Sequence, residues 1–196
     1  VESMHHTIAS RSRLVGPGPA GRPNGITGLV YRTVRGTTRA VGHGLDRVLG
    51  ALPRHGGGVS PEREALVAAL NGVWGDHLAA KDNPLAIPMT LRIGGRPYKA
   101  ALQQPSGRLF VLAHGLAMND LQWTRRGHDH GQVLARELGF TALYLHYNSG
   151  RHVSQNGREF AALLERLVAD WPVPVEELVI VGHSMGGLVA RSACHL

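Results

Sequence analysis

The sequence predicts an α/β fold, a mostly parallel sheet with helices on both faces, preceded by an N-terminal helical region. Three observations lead there. From Arg108 onward, short apolar runs alternate with helical stretches, the pattern of strands joined by helical crossovers. The run Leu109-Phe110-Val111-Leu112-Ala113 is apolar throughout, as a parallel strand covered on both faces requires. Between the last run and the last helical stretch stands Gly182-His183-Ser184-Met185-Gly186, a Gly-x-Ser-x-Gly turn.

Size and composition bound the rest. The 196 residues suffice for one domain with a core. Hydrophobic residues at 43% and charged residues at 18% are ordinary for a globular chain. The formal charge of +7, carried mostly by Arg, favours contact with anionic surfaces. No nucleic-acid-binding signature accompanies it, so nucleic acid is not expected as a partner. Cys194 is the single cysteine, which excludes an intrachain disulfide. No apolar run reaches the length of about 18 residues that a spanning helix needs. Val1 to Ser10 lack a signal-peptide pattern, which reads as a cytoplasmic chain. A start at Val points to a natural N-terminus further upstream.

Residues 1–25 contain Gly16-Pro17-Gly18-Pro19 and read as linker or disordered. Residues 26–84 form the expected N-terminal helical region. From Ile26 to Leu52, apolar residues recur at helical spacing, with Arg32, Arg35, Arg39, His43 and Arg47 on the opposite face. Such a helix packs on the main domain or lies in a membrane interface, so 26–52 is the candidate for peripheral membrane contact. Ser60-Pro61-Glu62 starts a second helix with a capping hydroxyl, an early Pro and acids at the positive end of the dipole. It runs to about Ala80, ahead of Asn83-Pro84.

The core is expected over 85–196. Met89–Ile93 and Tyr98–Leu102 read as two strands around Gly94-Gly95, a hairpin signal. Helices are predicted at about 130–138 and 156–169, strands at Leu109–Ala113, Thr141–Tyr147 and Glu177–Val181, and a last helix from Met185. Pro172 and Pro174 break the chain after the 156–169 helix.

The chemistry concentrates at Ser184. A strand-to-helix turn this tight holds its serine in a strained backbone, and side chains at Gly182 or Gly186 would clash with neighbouring elements. Ser184 then stands above the sheet at a helix N-terminus, where developing negative charge is favoured. His114-Gly115-Leu116 follows the first core strand, where a second backbone donor is expected. The N–H groups of Leu116 and Met185 are the predicted oxyanion hole, each worth about 3 kcal/mol of barrier.

Other polar residues are given plainer roles. His128-Asp129-His130 reads as surface, so no metal site is expected. His114 and His183 flank the serine without being placed to act as its base, and are expected to hold loops by hydrogen bonds. Trp123 packs or lines an acyl pocket. Tyr147–Arg151 follows a strand at its C-terminal end and reads as a substrate-facing loop. Ser184 and His195 are eleven residues apart, more than about 15 Å along a helix, too far for a direct pair.

The stretch from about Ser60 to Leu196 resembles α/β-hydrolases. More narrowly it resembles bacterial esterase- and lipase-like proteins related to the α/β domain of GPI inositol-deacylases. The residues that carry this are Leu112–Leu116, Tyr147–Gly150 and Val181–Arg191. The resemblance implies hydrolysis of a carboxylic ester or lipid-like small molecule through an acyl-enzyme on Ser184, without metal or organic cofactor. Acyl transfer to another acceptor is the neighbouring chemistry, and a non-catalytic surface-binding protein with the same fold is the alternative of another class. In such enzymes the acid and then the histidine follow the serine, yet eleven residues follow Met185 here. The expectation is therefore an incomplete α/β-hydrolase fold, a fragment inactive on its own and poorly soluble through its unpaired sheet edge.

Overall fold

The computed structural model describes residues 60–195. The expected linker over 1–25 and the amphipathic stretch over 26–52 lie outside the described residues.

Helix α1, Pro61–Ala80, begins as its sequence requires. The Ser60 hydroxyl accepts from the Arg63 N–H at 3.3 Å, and Glu62 and Glu64 occupy the first turn. Its axis kinks at Trp74 (φ −130°). Asn71 is buried in mid-helix and fully used. Its amide donates to the carbonyls of Val67 (2.9 Å) and Leu85 (2.7 Å), and its oxygen accepts from the Ile87 N–H (3.0 Å). One side chain thus fastens the returning chain to the helix. α1 and the sheet belong to one compact unit.

Strand β1, Thr90–Ile93, turns through Gly94 and Gly95, both at positive φ, into β2, Arg96–Pro97. The hairpin forms, but the strand expected at Tyr98–Leu102 does not. Pro97 has no N–H for the ladder, and the next residues, Tyr98–Ala101, wind into a single helical turn, α2. There the Tyr98 ring stacks on Trp171 with centroids 6.0 Å apart.

The remaining elements are β3, Arg108–Ala113; a 3₁₀ turn, Asp120–Trp123; β4, Thr124–Arg125; β5, His128–Asp129; α3, His130–Leu138; β6, Thr141–His146; α4, Val153–Ala169; β7, Glu177–Gly182; and α5, Met185–Ala193. The main sheet has the order β2-β1-β6-β3-β7. It is mixed. β6, β3 and β7 run parallel, as the alternation of strand and helix predicts, while β1 pairs antiparallel with β6. β4 and β5 form a separate small hairpin.

Alternate residues of each central strand point to opposite faces. Leu109, Val111, Ala113, Leu143 and Leu145 meet Phe160 and Leu167 of α4 and Val189 and Ala193 of α5. Phe110, Leu112, Ala142 and Tyr144 meet Ala135 of α3. Helices therefore cover both faces. β7 forms one edge of the sheet, opposite β2, and stays partly exposed. No helix among the described residues is long and apolar enough to cross a membrane.

The packing of α4 on α5 is close at Gly157, where an added methyl group would overlap the Ser192 hydroxyl and lie 2.6 Å from its Cβ. Ala is favoured over Gly by about 1 kcal/mol inside a helix. Overpacking costs about 1–3 kcal/mol and should prevail. Gly157→Ala is expected to lower the urea-unfolding free energy by about 1–2 kcal/mol. A stabilised variant would show that this spacing is not fixed.

Candidate functional site

Ser184 lies between β7 and α5 with φ 53° and ψ −120°. A residue with a side chain is rarely held at positive φ, and such strain persists only where the surroundings impose it. Here they do. A methyl on Gly186 would overlap the Ala113 carbonyl oxygen and lie 2.6 Å from that of His114. One on Gly182 would lie 2.5 Å from the Cα of Gly187. The His183 N–H donates to the Ala113 carbonyl at 2.9 Å, tying the turn to the end of β3. Ser184 itself is exposed.

The segment after β3 comes up against this serine. A methyl on Gly115 would sit 3.3 Å from the Ser184 Cβ and 3.1 Å from the His183 Nδ1. Leu116 follows, 53% exposed. Among the described residues, neither the Leu116 nor the Met185 N–H donates a backbone hydrogen bond. Ser184, Gly115, Leu116 and Met185 are thus neighbours, and the arrangement offers a hydroxyl beside amide donors at a helix N-terminus. The Ser184 hydroxyl does not cap that helix, and no hydrogen bond to a histidine joins it among the described residues.

The 115–120 segment is held from three sides. Met118 donates from its N–H to the Gly115 carbonyl (3.3 Å), and the Ala117 N–H, in a left-handed residue (φ 58°), donates to the Ser149 hydroxyl (2.9 Å). Gly72 of α1 lets the Ala117 backbone approach, since a methyl there would lie 2.6 Å from the Ala117 Cα. At the far end Asp120, its side chain 1% exposed, accepts from the His146 Nδ1 at 2.7 Å. Arg92 reaches Asp120 at 3.4 Å and Glu64 at 3.0 Å. Burial acts to raise the Asp120 carboxyl, but the His146 hydrogen bond and the charges of His146 and Arg92 outweigh it, so it ionises below the usual carboxylate range. Glu64, Asp120 and His146 have ligand-type atoms close together, but the Arg92 guanidinium already supplies the cation to both carboxylates.

Tyr147–Arg151, which its place after a strand suggested as substrate-facing, turns its first three residues inward and leaves Gly150 and Arg151 half-buried. Tyr147, Asn148 and Ser149 are buried. The Tyr147 hydroxyl donates to the His114 carbonyl at 2.7 Å, and the Asn148 amide to the Gly75 carbonyl at 2.8 Å. The Asn156 amide donates to the Asn148 carbonyl at 3.0 Å. Tyr147 and Asn148 thus brace the segments around the serine.

His114 is buried, donates from Nδ1 to the Gly115 carbonyl at 2.9 Å, and stacks on Tyr147 at 4.3 Å. His183 is exposed and meets the edge of Trp123 at 6.4 Å, and Trp123 also packs on the Phe110 side of the sheet. His128 and His130 are exposed, whereas Asp129 between them caps α3, accepting from the Gln132 N–H at 2.9 Å, and also accepts from the Tyr144 hydroxyl. An open groove of about 760 Å³ runs along α5, lined by Val153, Leu188, Arg191, Ser192, Cys194 and His195, and Ser184 is not in its lining.

No family model matches the chain, and neither a curated protein nor a solved structure matches it.

Two outcomes follow from the buried charges. Asp120→Ala leaves the buried His146 Nδ1 without its acceptor, while Arg92 keeps Glu64, and is expected to cost about 3 kcal/mol in urea unfolding at pH 7. A cost under about 0.5 kcal/mol would mean that the network does not hold the segment. Burial pushes the His114 ring down to about 4, below the unfolded value of about 6.5. The unfolded chain then takes up a proton that the folded chain refuses. His114 therefore contributes stability that is full above about pH 6.5 and lost as pH falls toward 4, about 3 kcal/mol in all. His114→Phe should flatten that part of the stability–pH curve, and an unchanged slope would refute the assignment.

Proposed function

We propose that this chain carries the nucleophile of a serine hydrolase of the α/β-hydrolase type, one that cleaves carboxylic esters of lipid-like small molecules through an acyl-enzyme on Ser184. The observation that supports this most directly is the backbone of Ser184. At a turn between a parallel strand and a helix, a serine at φ 53° is an expensive arrangement, of order 1–3 kcal/mol. A serine needed only to cap a helix sits in extended backbone and accepts from the helix N–H groups; Ser184 does neither. The strain instead lifts the hydroxyl clear of the sheet.

In this reading the Ser184 oxygen attacks the ester carbonyl. The charge that develops on the carbonyl oxygen is taken by the N–H groups of Met185 and Leu116, with the N-terminus of α5 adding its positive end. Gly115 allows the second donor close to the serine because it has no side chain to stand between them. The proton of Ser184 passes to a base outside the described residues. Collapse of the tetrahedral species expels the alcohol and leaves the acyl group on Ser184, and water then releases the acid. Exposed Leu116 beside the serine offers apolar surface to an acyl chain.

The test is covalent. A fluorophosphonate probe applied to the protein as its source organism makes it is expected to place one phosphonyl group on Ser184, located by peptide mass mapping. Ser184→Ala should take none. Label on another serine, or no label on wild type, would overturn the reading.

A further inference from the structure

His114 lies inside the site but takes no part in the chemistry just described, and its hydrogen bonds specify its state. A carbonyl oxygen only accepts, so in the 2.9 Å contact with the Gly115 carbonyl the proton is on Nδ1 of His114. Nε2 then carries the lone pair. It is buried and has no partner among the described residues, so it does not compete for the proton. The ring cannot swing away from this bond. It stacks on Tyr147 at 4.3 Å, and the Tyr147 hydroxyl holds the residue's own carbonyl at 2.7 Å. Tyr147 is itself fully buried.

The carbonyl that His114 holds belongs to the same peptide unit as the Leu116 N–H. A peptide unit is planar and trans, so its C=O and N–H point in opposite directions. Fixing one fixes the other. We infer that His114 is a positioning residue that sets the direction of the Leu116 N–H, by anchoring the opposite end of that amide plane. Met118 adds a longer bond to the same oxygen at 3.3 Å, and the Ala117 N–H is held separately by Ser149. His114 gives the shortest hold on the one amide whose aim matters. This rests on the hydrolase reading, in which that amide receives the oxyanion.

A ring in this role supports the transition state without touching substrate, so its loss should fall on kcat and spare KM. The variants separate the donor from the packing. His114→Phe keeps a ring against Tyr147 and removes the donor, whereas His114→Asn places an amide N–H near the position of Nδ1. With the protein as its source organism makes it, and a p-nitrophenyl ester as substrate, His114→Phe is expected to lower kcat roughly 10–100-fold with KM within about twofold. Affinity for a trifluoromethyl ketone, which mimics the oxyanion, should fall in parallel, and His114→Asn should recover most of both. Long-range imidazole ¹H–¹⁵N spectra of wild type should show the Nδ1–H form.

A folded His114→Phe variant with unchanged kcat would overturn the inference, as would a loss carried by KM or an Nε2–H ring in wild type. An inert wild type would sink the hydrolase reading and this inference with it. An active wild type beside an unaffected Phe variant would sink the inference alone.

Discussion

At the C-terminal edge of the sheet, α5 approaches the strands so closely that two positions have no room for a side chain. Gly186 lies against the carbonyls of Ala113 and His114, and Gly182 against Gly187. That approach buries Val189 and Ala193 in the core under β3, which returns about 1.5–3 kcal/mol for a fully buried side chain of the size of Val. The same approach leaves two residues, His183 and Ser184, to turn the chain from strand into helix, and Ser184 takes the positive φ that the turn demands. Local strain and core packing are therefore one arrangement. Relaxing the serine would require withdrawing the helix.

The segment from Gly115 to Asp120 depends on that turn and on distant parts of the chain in equal measure. Its near end lies against Ser184 and His183. Its middle is tied to Ser149, and its far end is buried under the charges of Arg92 and His146. A carboxylate as buried as Asp120 is tolerable only with such partners. Holding a loop at several points keeps its amides aimed before any ligand arrives, which is the condition for electrostatic stabilisation without reorganisation.

The parts of the fold legible in the sequence are those with local causes. The apolar run Leu109–Ala113, the capping sequence at Ser60 and the glycines around Ser184 each act through neighbours a few residues away, and each forms the element or turn expected. Met185 beside Ser184 is legible for the same reason, whereas Leu116 was expected near them from the place of His114-Gly115-Leu116 after the first core strand, next to which the Gly-x-Ser-x-Gly strand pairs. The parts that were not legible depend on contacts distant in sequence. Tyr147-Asn148-Ser149 reads as a polar opening after a strand, because nothing nearby reveals that Asn148 reaches the carbonyl of Gly75. Arg92, Glu64, Asp120 and His146 come from four segments, so their pairing has no sequence signal. Tyr98–Leu102 had the residues of a strand, but Pro97 before it closed the ladder. Its place in the chain was the available clue.

The central claim is that the strained serine is a nucleophile. Rapid acid quenching of the protein with p-nitrophenyl acetate, followed by peptide mapping, tests it without assuming the natural substrate. The account predicts an acetyl group on the peptide containing Ser184, formed with a burst of p-nitrophenol and lost in Ser184→Ala. Hydrolysis with no acetyl on that peptide, or acetyl on a different residue that persists in Ser184→Ala, would contradict it.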